Sequence, residues 1–468
     1  MKSTPKDGPK LNKQAIWRNP NSNGFYVWGG GVSYAAQPPS KEIWRFDVDG
    51  HGGGVWSQAS FANSVDFNQL TRSTDASFAQ SKDVGYSFGG IANSRTDSSV
   101  SGDQRFALPG LVSYNMTSGE VRNTSSDGFG QYGTSIWGSA QFVPFGQSGL
   151  LLFLGGGEGP VSLSGVENWT ARKDLDFNKI ALYDPSTDKW YTQQIEGSRP
   201  TGRGRFCAVG VSSTDNTYEI FLYGGISSQT NVTFDDVFVL SLPGFIFFKV
   251  SGSSARRADH TCVVVGSGGR QMLSIGGTNG ALGWPDSLSD PDPWDLGLGI
   301  FDMTELRWTD SYEPKAATYE SPDMVKRWYD QGGLKSVHWT SDEYVYGRNI
   351  DQAAIASSNT TSARPPTSEL PIGAIVGGVI GGVAGIGLAI LVVLFLKRKK
   401  RNQVTREREN DGTPPASQKP DNTDLGPKGS AGATTLHEGH TDHFNPVELP
   451  TEPGAAELSS SHNRQELG

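Results

Sequence analysis

The sequence predicts an all-β fold, a β-propeller followed by a single membrane-spanning helix and a disordered tail. Three observations predict it. Short apolar runs ending in a glycine doublet recur five times, a second β-type run follows each at a nearly constant internal spacing, and a 25-residue stretch without charge comes after the last repeat.

The five runs are FYVWGG, ending in Gly29 and Gly30; VGYSFGG, in Gly89 and Gly90; LLFLGG, in Gly155 and Gly156; IFLYGG, in Gly224 and Gly225; and MLSIGG, in Gly276 and Gly277. Successive doublets lie 60, 66, 69 and 52 residues apart. The second runs centre on Phe46, Tyr114, Tyr183, Leu240 and Phe301. In four units another bulky residue stands seven positions on: Val121, Trp190, Phe247 and Trp308. In the first unit Trp56 stands ten positions on, with the turn DGHGGG inserted. A constant hairpin offset with variable loops marks a repeated supersecondary unit. A small four-stranded sheet cannot bury both faces alone, and radial arrangement buries each face against a neighbour. Each doublet is expected where the chain leaves the second strand and a side chain would strike the adjacent sheet. The paired large residues, on the third and fourth strands, are expected to fill the space between sheets.

This order of hydrophobic–Gly–Gly, then Tyr-Asp, then Trp resembles the Kelch repeat, over residues 11 to 312. The second unit departs by carrying Val121 in place of Trp, and the fourth lacks the Tyr-Asp pair. In layout the chain is similar to single-pass membrane Kelch proteins of filamentous fungi. The resemblance implies a ring of six or seven blades. Five are visible, so the propeller (residues 1–350) is expected to be truncated at its N-terminus. Residues 313 to 350, with YESPDMVKRWYDQGG, read as a short helix and turn, not as a further blade. The resemblance also implies that loops between second and third strands share one face with the loops joining blades, and that this face binds partners. Three of these loops are long, about 91 to 108, 158 to 177 and 278 to 297, and long ordered loops on a rigid scaffold usually carry function.

The third loop has the most distinctive content: Trp284, Asp286, Asp290, Asp292, Trp294 and Asp295. Tryptophans beside carboxylates suit a sugar, and the aspartates suit a calcium ion, although the spacing lacks the order of a calcium-binding loop. The alternative is a Pro/Asp-rich turn whose tryptophans pack on the rim. Glycans on Asn168 and Asn231 would shield part of the same face.

Residues 372–396 read IGAIVGGVIGGVAGIGLAILVVLFL, about 37 Å of helix at 1.5 Å per residue, enough to cross a hydrocarbon core of roughly 30 Å. Lys397, Arg398, Lys399, Lys400 and Arg401 then place the C-terminal side in the cytosol. The expected topology puts the propeller and a Ser/Thr/Pro stalk (351–371) outside, and a disordered tail (397–468) inside. All five Asn-x-Ser/Thr sequons, at Asn115, Asn123, Asn168, Asn231 and Asn359, precede the span. The N-terminus, MKSTPKDGPKLNKQ, has no apolar segment of a signal peptide, a second reason to expect a longer chain. Gly373, Gly377, Gly381 and Gly385 fall every fourth residue, a spacing that lets two such helices approach and suggests a homodimer.

The net charge of −9 argues against a nucleic-acid partner. Cys207 and Cys262 are the two cysteines, too few for a disulfide framework or a cysteine zinc site. They stand 17 and 14 residues before their doublets, on first strands of adjacent blades, and are either bridged or two buried thiols. Another possible partner for either lies in the expected missing segment. A copper-radical oxidase similar to galactose oxidase needs two histidines and two tyrosines on copper. The region before the span offers His51, His260 and His338, in separate contexts. We therefore expect no catalytic site and no cofactor. The expected function is a membrane glycoprotein whose propeller binds a surface protein or wall polysaccharide, with a cytosol-facing scaffold as the alternative.

Overall fold

Five blades of four antiparallel strands follow one another along the chain, the four strands of each lying in sequence order, and the fourth blade gains one further strand. The computed structural model describes residues 8–340, apart from 34–35, 103, 147, 160–171, 253 and 284–285. Trp284, Asn168, Asn359, the stalk, residues 372–396 with their glycines, and the tail lie outside the described residues. No helix among the described residues is long and apolar enough to cross a membrane.

Blade I comprises Ala15–Arg18, Phe25–Trp28, Trp44–Val48 and Gly54–Gln58. Blade II comprises Ser77–Gln80, Val84–Phe88, Leu111–Asn115 and Val121–Thr124. Blade III comprises Ser139–Val143, Leu150–Leu154, Lys179–Asp184 and Lys189–Gln194. Blade IV comprises Cys207–Ser212, Tyr218–Tyr223, Val237–Leu242 and Ile246–Lys249, and blade V comprises Thr261–Val265, Gln271–Ile275, Leu298–Asp302 and Arg307–Thr309. The first strands of successive blades pack side by side around the axis. A strand with both faces buried reads as an unbroken apolar run instead of an alternating one. Leu150–Leu154 is buried at all five positions, as is Val237–Leu242 at all six.

The spacing seen in the sequence is a cross-strand register. Phe46 pairs with Trp56, Tyr114 with Val121, Tyr183 with Trp190, Leu240 with Phe247 and Phe301 with Trp308. The facing rings touch, with centroids 5.0 Å apart in Phe46–Trp56 and Tyr183–Trp190 and 5.2 Å in Phe301–Trp308. Directly opposed aromatic pairs stabilise a sheet by up to about 1 kcal/mol each. The ten-residue offset in blade I keeps the same pairing, since the Asp49 carboxylate accepts backbone N–H bonds from His51 and Gly53 and closes the longer turn.

The glycine doublets sit where blades meet. Gly224 and Gly225 both have positive φ, 67° and 95°. The Gly225 N–H donates to the carbonyl of Arg257 in the next blade at 2.7 Å, and a Cβ on Gly224 would lie 2.3 Å from that oxygen. The same interblade bond runs from Gly30 to Ser73, Gly90 to Ser135 and Gly156 to Arg203. At the last doublet the pattern stops: among the described residues a Cβ on Gly276 would meet nothing within 4 Å. That side of blade V also leaves Val263, Ile275 and Leu298 exposed.

Between blades IV and V the core is continuous, with Val239, Phe221, Met272 and Phe301 all sealed from water. A disulfide joins Cys207 and Cys262 across this junction, with Cα atoms 5.5 Å apart. The segment after blade V forms a helix, Asp323–Asp330, and a 3-10 turn, Gly333–Ser336. It docks under the junction through Val325 and Tyr319. There Glu219, wholly buried, accepts hydrogen bonds from Ser241 Oγ at 2.8 Å, Tyr319 OH at 3.0 Å and Ser321 Oγ at 3.2 Å. Burial pushes its carboxyl above the ordinary value, against the opposing pull of those hydroxyls. The linker into blade IV adds a fifth strand, Glu196–Gly197, parallel to the blade's outer strand.

Candidate binding face

Each inner strand is entered through one residue in the left-handed conformation. Lys13, Asp75, Trp137, Arg205 and Asp259 have φ of 56°, 60°, 61°, 57° and 55°, and each stands two positions before its strand begins. None is glycine, so each costs roughly 1–2 kcal/mol of backbone strain. Backbone bonds string four of them together: the N–H of Trp137 donates to Asp75 O, that of Arg205 to Trp137 O, and that of Asp259 to Arg205 O, at 2.8–3.0 Å.

Their side chains converge at the mouth of the axis. Lys13 Nζ lies 2.8 Å from Asp75 and 3.4 Å from Asp259, so it links the first blade to both the second and the last. Arg205 Nη1 reaches Asp259 at 3.3 Å. The Arg205 guanidinium lies 4.2 Å from the centre of the Trp137 ring and that of Arg172 lies 4.3 Å from it. Burial lowers the Arg172 pKa, and the neighbouring Arg205 charge lowers it further. Lys13 keeps 43% of its side chain exposed, Asp259 34% and Arg205 30%. The mouth is thus a half-exposed set of paired charges around an aromatic ring, able to exchange internal ion pairs for those of a partner.

The loops around it are built, not slack. The first long loop opens as a ribbon, Ile91–Asn93 against Arg105–Ala107, and the second as Gly157–Glu158 against Lys173–Asp174. Buried arginines fasten them. Arg72 donates to the carbonyls of Pro39 at 2.6 Å, Ser40 at 3.1 Å and Thr96, tying loops of blades I and II together. Beside it Asp97 is fully buried; burial pushes its carboxyl up, but backbone bonds from Arg72 and Ser99, together with Lys41, carry it below the ordinary value. Arg203 donates to Gly224 O and Asp236, with its guanidinium 3.5 Å from the centre of the Phe234 ring.

The third long loop divides. Trp294 packs inward: its ring lies 4.9 Å from Trp308 and 6.1 Å from Tyr223, and Gly299 leaves the space it fills. Asp292 accepts the Trp294 N–H at 3.0 Å and pairs with the buried Arg257 at 3.3 Å. Asp286, Asp290 and Asp295 are exposed. Among the described residues, no three of these carboxylates bring their oxygens within 4.8 Å of one another. Of the sequons, Asn123 and Asn231 are exposed, whereas Asn115 is half-buried and accepts two backbone bonds in its own turn.

The three histidines among the described residues lie apart. His51 is in an exposed turn of blade I, and His338 is 81% exposed beside Glu196. His260 sits against Tyr223 with its ring nitrogens sealed from water, and burial pulls its pKa down to about 4. Sequence reasoning missed the five residues of the mouth. They share a backbone conformation and a position, not a residue type, and their distance to the following doublet varies.

No family model matches the chain. It is 28% identical to a Kelch repeat-containing protein of Arthroderma benhamiae over 260 residues, covering 54% of this chain and 34% of the relative. It is 22% identical to Kelch domain-containing protein 3 of Mus musculus, and equally to that of Homo sapiens, over 196 residues, covering 40% of this chain and 46% of each. The chain thus spans between a third and a half of the length of these relatives. Taken with the repeated sheets and their doublets, the described residues form a five-bladed Kelch-repeat β-propeller.

Proposed function

We propose that this chain is a non-catalytic single-pass membrane glycoprotein whose propeller binds a protein partner outside the cell, at the face where the five inner strands begin. The observation that carries the binding site is the strained, half-exposed mouth of Lys13, Asp75, Trp137, Arg205 and Asp259. Backbone strain held on a rigid scaffold clusters at binding sites. The inward packing of Trp294 removes one stacking platform from the third loop and favours a protein over a wall polysaccharide. The apolar run 372–396 and its basic flank support the topology, and Gly373, Gly377, Gly381 and Gly385 support pairing of two such helices.

Quantitative affinity capture tests the site. The Lys13→Glu/Arg205→Glu variant should lose partners that wild type retains. Lys82→Glu, in the turn at the far end of the inner strand of blade II, should keep them. Identical capture by all three would overturn the assignment of the face. For the topology, a C-terminally tagged endogenous protein should fall in mass on N-glycosidase treatment; no shift would turn the propeller toward the cytosol.

A further inference from the structure

Behind the mouth, the junction between blades IV and V gathers three soft donors. Cys207, His260 and Cys262 each present one donor atom, and the three atoms lie within 4.8 Å of one another; among the described residues it is the only such group of metal-binding side chains. Tetrahedral zinc with sulfur at about 2.3 Å and nitrogen at about 2.0 Å requires donors roughly 3.5–3.8 Å apart, so modest side-chain movement would complete the set. A second, independent observation points to a ligand. Both ring nitrogens of His260 are sealed from water and neither makes a hydrogen bond of good geometry; a weak contact with the Tyr223 backbone is all that offsets their burial from the hydrogen-bonding side. A buried polar atom left poorly paired is costly, and an imidazole with no strong hydrogen-bond partner is suited to a metal. The half-buried Cys262 gives a route from solvent, while Cys207 is buried.

We propose that Cys207 and Cys262 form a switch, bridged as a disulfide in one state and, with His260, binding one Zn2+ ion in the other. A dithiol supplies the change: two electrons and two protons convert the bridge to two thiols as the dithiol becomes its own cyclic disulfide. Zn2+ then takes both sulfurs as thiolates, releasing two protons, and the neutral imidazole completes three protein ligands, with a fourth position open. Two thiolates cancel the double charge of the ion, which suits a divalent cation in an apolar junction better than a monovalent one. Either state ties the inner strands of blades IV and V together, and reoxidation expels the ion.

The test uses the full chain in mild detergent, reduced with dithiothreitol and desalted without oxygen, then titrated with Zn2+ against a chromogenic chelator. Reduced wild type should take up one equivalent that the oxidised form does not. Cys207→Ser should abolish that equivalent, and His260→Ala should weaken it at least tenfold. Co2+ in place of Zn2+ should give a thiolate-to-metal charge-transfer band in reduced wild type and none in Cys207→Ser. Tryptophan fluorescence follows the fold; if reduction loosens the propeller, Zn2+ should restore it. The switch is overturned if reduced wild type binds no more Zn2+ than Cys207→Ser, if His260→Ala binds as tightly as wild type, or if a loosened chain stays loose with Zn2+ present.

Discussion

The two faces of blade V share the same four strands and have opposite surroundings. Toward blade IV, Met272, Phe301 and Met303 are sealed and Cys262 is covalently bound to its neighbour. On the other face Val263, Ile275 and Leu298 are 42%, 37% and 42% exposed. Register fixes which residue goes where, because successive side chains point to opposite faces: Leu298 pairs with Ile275, and Phe301 with Met272. A blade on its own is therefore half a structure. Its sequence commits both faces to burial, and only a neighbour supplies it.

The largest expected effect that sharpens this contrast is Phe301→Ala, which opens a cavity against Trp308 and Phe221 and should cost about 3–5 kcal/mol in chemical denaturation. Leu298→Ala, three residues away on the open face, should stay within about 0.5 kcal/mol. Equal losses would break the comparison. Glycine gives the next test. Gly224→Ala drives a methyl group onto the Arg257 carbonyl and should cost about 3 kcal/mol or more, whereas Gly276→Ala should cost only the left-handed strain of about 1–2 kcal/mol.

A smaller effect probes the floor of the closed junction through pH. The Glu219 carboxyl is held above its ordinary value of 4.5, so between that value and its raised folded one the native state keeps a proton that the unfolded chain has lost. Its contribution is full below 4.5 and is lost as pH rises through that window. Glu219→Gln should remove this slope, so the stability difference between variant and wild type moves in the variant's favour on going from acid to neutral pH. A constant difference would mean that the carboxyl holds its proton no more tightly in the fold than in the unfolded chain. The smallest effect belongs to Ile275→Lys, within about 0.5 kcal/mol and without change in sedimentation; a larger loss, or a change in oligomeric mass, would show that this face is covered in solution.

How much could be read beforehand follows from what each feature depends on. The pairs Tyr183–Trp190 and Phe301–Trp308 were legible because a hairpin converts sequence offset directly into cross-strand contact. The doublets were legible because only glycine tolerates both their φ values and the neighbouring carbonyl. The helix after blade V was legible from its composition. Whether Cys207 meets Cys262 was not, since strand equivalence gives adjacency but no distance. Trp294 was ambiguous because a tryptophan among aspartates reads alike whether it faces a ligand or Trp308. The mouth was invisible: lysine, aspartate, tryptophan and arginine share no chemistry that a search for motifs would join.

That invisibility has an evolutionary consequence. At Lys13, Asp75, Trp137, Arg205 and Asp259 the scaffold dictates a torsion angle and leaves the side chain unspecified. The strain falls on every residue but glycine, least on asparagine and aspartate and most on β-branched residues. Exchanges among unbranched residues at these five sites therefore change charge and shape at the rim with little change in backbone strain. On the proposed reading of this face, a partner held there could be exchanged for another one substitution at a time, without extra stability being acquired first.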